Sequence, residues 1–167
     1  MSTTEDIELI INQEVALHFA SFGEEDAWKL GGQMRAAAML RKLPLVIDIR
    51  CAGRRLFYTA LPGTTPGNEG WVQRKINVVH LTHKSSYRVS RELAISGAAM
   101  DHSQGLQAID YAAHGGCFPI HINGVGTVGT ITVSGIPQRD DHGFVVEQIC
   151  IFLGKDAVAL TLGPQTK

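Results

Sequence analysis

Residues 117–136 read CFPIHINGVGTVGTITVSGI, and this stretch decides the fold class. Two runs rich in β-branched side chains lie on either side of Asn123-Gly124. An Asn-Gly pair readily adopts the positive φ angles of a type I′ turn, which matches the twist of two antiparallel strands. The stretch therefore predicts a β-hairpin, and the pair Gly115-Gly116 just before it ends any preceding helix.

A second pair of runs predicts another hairpin. LVIDIRCA covers residues 45–52 and RRLFYTAL covers residues 54–61, and the connection around Gly53 is short enough for a hairpin. A shorter apolar and aromatic run at residues 15–22 predicts one more strand. We therefore expect an antiparallel sheet of about five strands.

Polar caps and acidic first turns predict helices that flank these strands. Ser2 precedes Glu5 and Asp6, so a short helix should run to about Glu14. The other predicted helices cover residues 24–43, residues 69–93 with a cap at Asn68 and a break near Ser85-Ser86, residues 101–113, and residues 140–153. The order of elements predicts an α+β fold that forms one domain over residues 1–167.

Composition and charge exclude several classes of function. The chain has 167 residues, 44% of them hydrophobic, and a formal net charge of -1. A net charge so close to zero produces no positive electrostatic field around the protein, so we expect neither a nucleic-acid partner nor a membrane partner. No apolar run is long enough to cross a bilayer, and the acidic N-terminus is unlike a secretory signal, so we expect a cytoplasmic protein.

The three cysteines and the glycine motif indicate no familiar cofactor site. Cys51, Cys117 and Cys150 form an odd set without a CxxC spacing, which favours reduced thiols over a disulfide framework or a metal site. Gly124-x-Gly126-x-x-Gly129 matches the spacing of a dinucleotide fingerprint. That fingerprint must open a helix, whereas these glycines precede a predicted strand, so a close-packed hairpin is the better interpretation.

Several sequence features are compatible with ligand binding. The sequence leaves two roles open for Gly115-Gly116: their backbone N–H groups face a carboxylate or another small anion, or the glycines only form turns. A basic segment between Arg74 and Arg91 could pair with carboxylates of a ligand or a partner subunit, or be a solvated surface. Several histidines have the chemistry to ligate haem iron, and the sequence does not select among them: His80, His83, His114, His121 and His142.

Several blocks in combination resemble the UPF0303 family. They are PGTTP at residues 62–66, WVQRK at residues 71–75, SSY at residues 85–87, HGGCFPI at residues 114–120 and VSGIPQRDDH at residues 133–142. This family is similar to a wider group that includes haem-binding, haem-degrading and GlcG-like proteins. The resemblance implies an antiparallel sheet flanked by helices, a homo-oligomer, and association with haem or a small ligand.

Within these blocks, the polar, aromatic and glycine residues are the candidates for a ligand-binding site. They are Trp71, Arg74, Lys75, Tyr87, His114, Gly115, Gly116 and His142. The site depends on one spatial expectation, which is that the glycine pair and the start of the last helix near residue 141 lie side by side.

Three functions remain open from the sequence. The first is a homo-oligomeric binding protein for haem or a small carboxylated ligand. The second is a haem-degrading or other small-molecule enzyme, in which haem as cofactor would supply the redox chemistry. The third is an assembly or scaffold protein whose apolar helices pack between subunits. No catalytic residue can be assigned.

Overall fold

The computed structural model describes residues 2–164. Its helices are α1 (Thr3–Ala16), α2 (Glu24–Leu40), α3 (Pro66–Thr82), α4 (Ser86–Ser96) and α5 (Gln138–Leu153). Its strands are β1 (Val46–Cys51), β2 (Arg54–Ala60), β3 (Cys117–Ile122) and β4 (Gly126–Ser134). The fold is α+β, as predicted.

The sheet has four antiparallel strands in the order β2-β1-β4-β3, one fewer than the sequence predicted. The missing strand is residues 15–22, where α1 continues to Ala16 and a single parallel bridge joins Phe19 to Ile122. A capping box between Ser2 and Glu5 starts α1, and the helix takes up the first two residues of this run. Leu17, Phe19 and Phe22 are buried, but only Phe19 forms a bridge to the sheet.

Both predicted hairpins form, but their turns differ from the prediction. At the second hairpin Ile122 pairs with Gly126, so three residues form the turn, and Gly124 has a φ of 75° while Asn123 has no positive φ. The two-residue turn with two positive φ angles lies instead in the first hairpin, at Ala52 with 50° and Gly53 with 75°. The type I′ prediction for Asn123-Gly124 was therefore wrong, because the strand register adds Val125 to the loop.

Two of the predicted helices also need correction. The helix predicted from residue 69 begins at Pro66, because Thr65 is the N-cap and Asn68 Oδ1 accepts a hydrogen bond from the Thr65 N–H at 2.8 Å. The predicted break is present, with α3 ending at Thr82 and the Ser85 side chain capping α4. Residues 101–113 form two 3-10 turns, His102–Gln104 and Ala108–Asp110, because Gly105 takes a φ of 74° and no residue of either turn is buried.

Helices cover both faces of the sheet. Helices α2 and α5 pack on one face, where strand residues such as Ile47 and Ile131 meet Leu30, Met34 and Ile149. Helix α3 packs on the opposite face through a smaller apolar cluster of Val46, Val72, Ile76, Val79 and Cys117. Helix α4 joins this second layer and contacts α1, α3 and α5. The first half of α3, the end of β4 and the start of α5 meet at one end of the sheet.

Two adjacent glycines of α2 give a matched test of this packing. A methyl group on Gly31 would collide with the ring of Phe57, whereas one on Gly32 would meet nothing within 4 Å. We expect Gly31→Ala to destabilise the protein by about 1–3 kcal/mol through overpacking. Gly32→Ala should stabilise it by up to about 1 kcal/mol, because alanine is the better helix former. Urea unfolding measures both, and a stabilising Gly31→Ala would contradict the packing of α2 on β2.

Candidate functional site

A cavity of about 250 Å³ opens where α3, the end of β4 and the start of α5 meet. Helix α3 supplies the wall that carries Trp71, and the segment before β3 supplies His114. The remaining wall comes from residues 134–138 and Asp141. The lining residues are Asn68, Trp71, Lys75, His114, Ser134, Gly135, Ile136, Gln138 and Asp141.

A buried ion pair forms part of the wall of the cavity. Lys75 Nζ lies 2.7 Å from Asp141 Oδ2, and these side chains are 3% and 2% exposed. The same ammonium donates to the Val133 carbonyl at 3.1 Å, while Asp141 Oδ1 accepts from the Ile136 N–H at 3.2 Å. Burial raises the pKa of Asp141 to about 6, although the charge of Lys75 opposes this shift. The pair therefore ties α3 to the β4–α5 connection.

The two glycines before β3 are required by this close packing. Gly116 has a φ of 120°, and a Cβ atom there would lie 2.5 Å from the Val133 oxygen and 2.8 Å from Lys75 Nζ. A Cβ atom on Gly115 would collide with the Gln138 carbonyl. The expectation that the glycine pair and the start of the last helix lie side by side is confirmed.

Aromatic and cationic side chains surround the opening. The ring centroids of Trp71 and His114 are 5.1 Å apart, and the guanidinium of Arg74 lies 4.1 Å from the Trp71 ring centroid. The pKa of His114 is lowered by its partial burial first, and then by the charges of Lys75, Arg74 and Arg91. The lowered pKa favours the neutral imidazole of His114.

Tyr87 and His142 lie behind this wall instead of lining the cavity. Tyr87 is 1% exposed, its hydroxyl accepts a hydrogen bond from Arg139 at 3.1 Å, and its ring packs 5.1 Å from the His142 ring. His142 Nε2 lies 2.8 Å from Gln13 Oε1. Burial first, and the charge of Arg139 second, lower the pKa of His142 to about 3. These two side chains are placed to support the site rather than to touch a ligand.

Other histidines group at a different corner of the molecule. The rings of His18 and His121 stack with centroids 3.9 Å apart, beside the turn at Asn123. His80 and His83 lie at the end of α3. Across residues 2–164, no group of three or more histidine, cysteine or acidic side chains is arranged to hold a metal ion. No helix of that range is long and apolar enough to cross a membrane.

A family comparison identifies the chain. The model of the family described as haem degrading protein HbpS-like matches residues 22–150. The chain belongs to this HbpS-like family. A relative named as a UPF0303 protein, from Acidobacterium capsulatum, is 50% identical over 156 residues, which is 93% of this chain and 94% of that protein.

Solved structures share the HbpS-like fold of this chain. The crystal structure of the Ybr137w protein has a TM-score of 0.80 and 26% identity, covering 89% of this chain and 87% of that chain. A crystal structure titled as a PduOC:haem complex has a TM-score of 0.65 and 17% identity, covering 78% of this chain and 94% of that chain. At that identity the second likeness concerns the fold alone.

The structure adds residues to the site that the sequence analysis of this HbpS-like chain missed. Asp141, Gln138 and Ser134 line the cavity, and Asn68 joins them from α3. Pro137 predicts that a strand ends just before a helix begins. The first turn of that helix should therefore lie close to the end of the strand. That signal was available for Gln138 and Asp141, whereas the position of Asn68 depends on tertiary packing.

Proposed function

We propose that this protein binds a small carboxylated ligand in the cavity beside Trp71, Lys75 and His114. The observation that carries the proposal is the concave opening lined by Trp71, Lys75 and His114, with the guanidinium of Arg74 held against the Trp71 ring. Concave sites with a few convergent polar groups are typical of small-molecule binding. The cavity is slightly smaller than the roughly 300–1,000 Å³ common for drug-sized ligands, which favours a short molecule.

The eight residues of the predicted site divide into two groups under this proposal. Trp71, Lys75 and His114 line the cavity, Arg74 lies against the Trp71 ring, and the two glycines allow the close packing behind Lys75. Tyr87 and His142 pack against each other and hold α4 against α5. This division makes the outward-facing residues the ones that should control affinity.

Haem is the second candidate ligand, because it is a carboxylated molecule and the family and one structural neighbour are named for haem. The neutral, exposed imidazole of His114 is a suitable iron ligand. The cavity is too small to enclose a porphyrin, so it would take only a carboxylate-bearing edge. Bound haem would supply iron redox chemistry, while this chain would contribute the histidine and the arginine contact.

A titration tests the proposal and separates the two ligands. Trp28→Phe leaves Trp71 as the fluorescent reporter at the cavity, where it is 38% exposed. We expect short carboxylates to change this fluorescence saturably. Haemin should give a saturable Soret shift that His114→Ala abolishes, with His102→Ala as the control on an exposed turn. If neither haemin nor any short carboxylate gives saturable binding, the proposal is wrong.

Self-association and a cytoplasmic location stay predictions. Self-association is supported by large apolar side chains that remain exposed on α2 and α5, namely Trp28 at 67%, Leu40 at 85% and Ile151 at 54%. The location is supported by three cysteines that are all unpaired.

A further inference from the structure

Two side-chain amides that line the cavity have their oxygen atoms occupied by main-chain N–H groups. Asn68 Oδ1 accepts a hydrogen bond from the Thr65 N–H at 2.8 Å, and Gln138 Oε1 accepts one from the Gly115 N–H at 3.3 Å. Because a main-chain N–H only donates, these contacts fix which end of each amide is the oxygen. The NH₂ group of each amide remains for a ligand, since no residue from 2 to 164 accepts a hydrogen bond from Asn68 Nδ2 or Gln138 Nε2.

A hydroxyl group on β4 is a third donor that the protein leaves unused. Ser134 lines the cavity and is 5% exposed, and its hydroxyl makes no hydrogen bond within the part of the chain that the structure describes. Thr130, four residues earlier on β4, also has a hydroxyl without a partner, but that hydroxyl is fully enclosed, whereas Ser134 Oγ is open to the cavity. A nearly buried hydroxyl without a partner is unfavourable, and an oxygen atom of a ligand in the cavity would satisfy it.

The acceptor groups of the cavity wall are mostly occupied. Asp141 Oδ2 pairs with Lys75 at 2.7 Å, Oδ1 accepts from the Ile136 N–H at 3.2 Å, and this side chain is 2% exposed. The indole of Trp71 only donates, whereas the neutral imidazole of His114 has one donor and one acceptor. Donors therefore predominate among the side chains that line the cavity, and they favour a ligand whose polar atoms accept hydrogen bonds.

We propose that the cavity binds α-keto acids and rejects the α-amino acids of the same carbon skeleton, with Asn68, Ser134 and Gln138 as the residues that determine this specificity. A carboxylate and the adjacent keto group present three acceptor oxygens, which the two amide NH₂ groups and the hydroxyl can bind. An ammonium group at the same place would lose its hydration and meet NH₂ groups that cannot accept its protons. This inference rests on the proposed function and narrows the class of carboxylate.

Calorimetric titration of the wild-type protein at pH 7.5 with matched ligands tests this specificity. Each series contains an α-keto acid, its α-amino acid and the unsubstituted acid, such as pyruvate with alanine and propionate, or α-ketoglutarate with glutamate and glutarate. In the series that binds most tightly, we expect the keto acid to bind at least about tenfold more tightly than both other members, since a hydrogen bond to a charged group contributes that much.

Variants that remove single donors test the assignment of the three residues. Asn68→Asp keeps the oxygen that accepts from the Thr65 N–H and replaces the NH₂ group with an acceptor, so the affinity for the keto acid should fall at least about tenfold. Ser134→Ala removes a donor without changing the charge and should lower this affinity at least about threefold. Thr130→Val is the matched control, because it removes the enclosed hydroxyl of the same strand and should keep the wild-type affinity.

The outcomes separate this inference from the proposed function. If the amino acid or the unsubstituted acid binds the wild type as tightly as the keto acid in every series, the inference is wrong while carboxylate binding stands. An unchanged affinity for the keto acid in both Asn68→Asp and Ser134→Ala would likewise overturn the inference alone. If no member of any series binds the wild type, both the inference and the proposed carboxylate binding fail. Thermal unfolding shows whether each variant is folded, and the comparison of ligands on the wild type does not depend on the variants.

Discussion

Replacing Asp141 with asparagine is expected to lower the free energy of unfolding by about 3–5 kcal/mol, the usual effect of breaking a buried ion pair. Asparagine has the size of aspartate and can still accept the hydrogen bond from the Ile136 N–H. It leaves the Lys75 ammonium, which is 3% exposed, without a compensating charge. Urea unfolding at pH 7.5, followed by circular dichroism, measures the loss.

Two control variants show whether the uncompensated charge is the cause. Lys75→Met combined with Asp141→Asn removes both charges and should recover much of the lost stability, because a buried pair can be replaced by apolar side chains at little cost. Glu24→Gln breaks the exposed pair with Arg54, whose side chains are 66% and 62% exposed, and should leave the unfolding midpoint nearly unchanged. If the double variant were as unstable as Asp141→Asn, the buried charge would not be the reason for the loss.

The second large effect is a loss of stability in acid caused by His142. Its pKa is about 3 in the folded protein, because burial disfavours the charged form, whereas an unfolded chain has a histidine pKa near 6.5. Between these values the unfolded chain binds a proton that the folded chain does not. The free energy of unfolding therefore falls as the pH drops below about 6.5, and this histidine accounts for roughly 3 kcal/mol of the loss at pH 4.

Comparison of His142→Gln with the wild type isolates this contribution. The free energy of unfolding is measured from pH 7.5 down to pH 4 for both proteins and for His102→Gln, which changes a histidine on an exposed turn. We expect His142→Gln to show a clearly shallower slope below about pH 6.5, and His102→Gln to follow the wild type. Parallel slopes for wild type and His142→Gln would rule out a buried neutral imidazole.

The main-chain architecture could be predicted from local signals where those signals were strong. The two strand pairs, the break at Ser85-Ser86 and the last helix follow from β-branched runs, caps and proline. The turn types could not be predicted, because they depend on strand register. Ala52 takes a positive φ that alanine disfavours locally, while Asn123 does not use the φ that it favours.

Part of the candidate site could also be predicted from the sequence. Trp71, Lys75, His114 and the two glycines share one neighbourhood, and the family blocks pointed to them. His142 lies one position beyond Asp141 on α5, and that single step turns its side chain into the core instead of the cavity. That residues 1–167 form one domain stays a prediction.

The cavity draws its lining from segments that are far apart in the chain, around residues 68–75, 114, 134–138 and 141. An unfolded chain therefore contains no partial version of it. Any molecule that occupies the cavity binds the native state alone and must raise the melting temperature in proportion to the logarithm of its concentration. A hundredfold excess over the dissociation constant would add about 2.7 kcal/mol of stability. Thermal-shift screening of metabolite collections is consequently a direct way to find the natural ligand without knowing its chemistry beforehand.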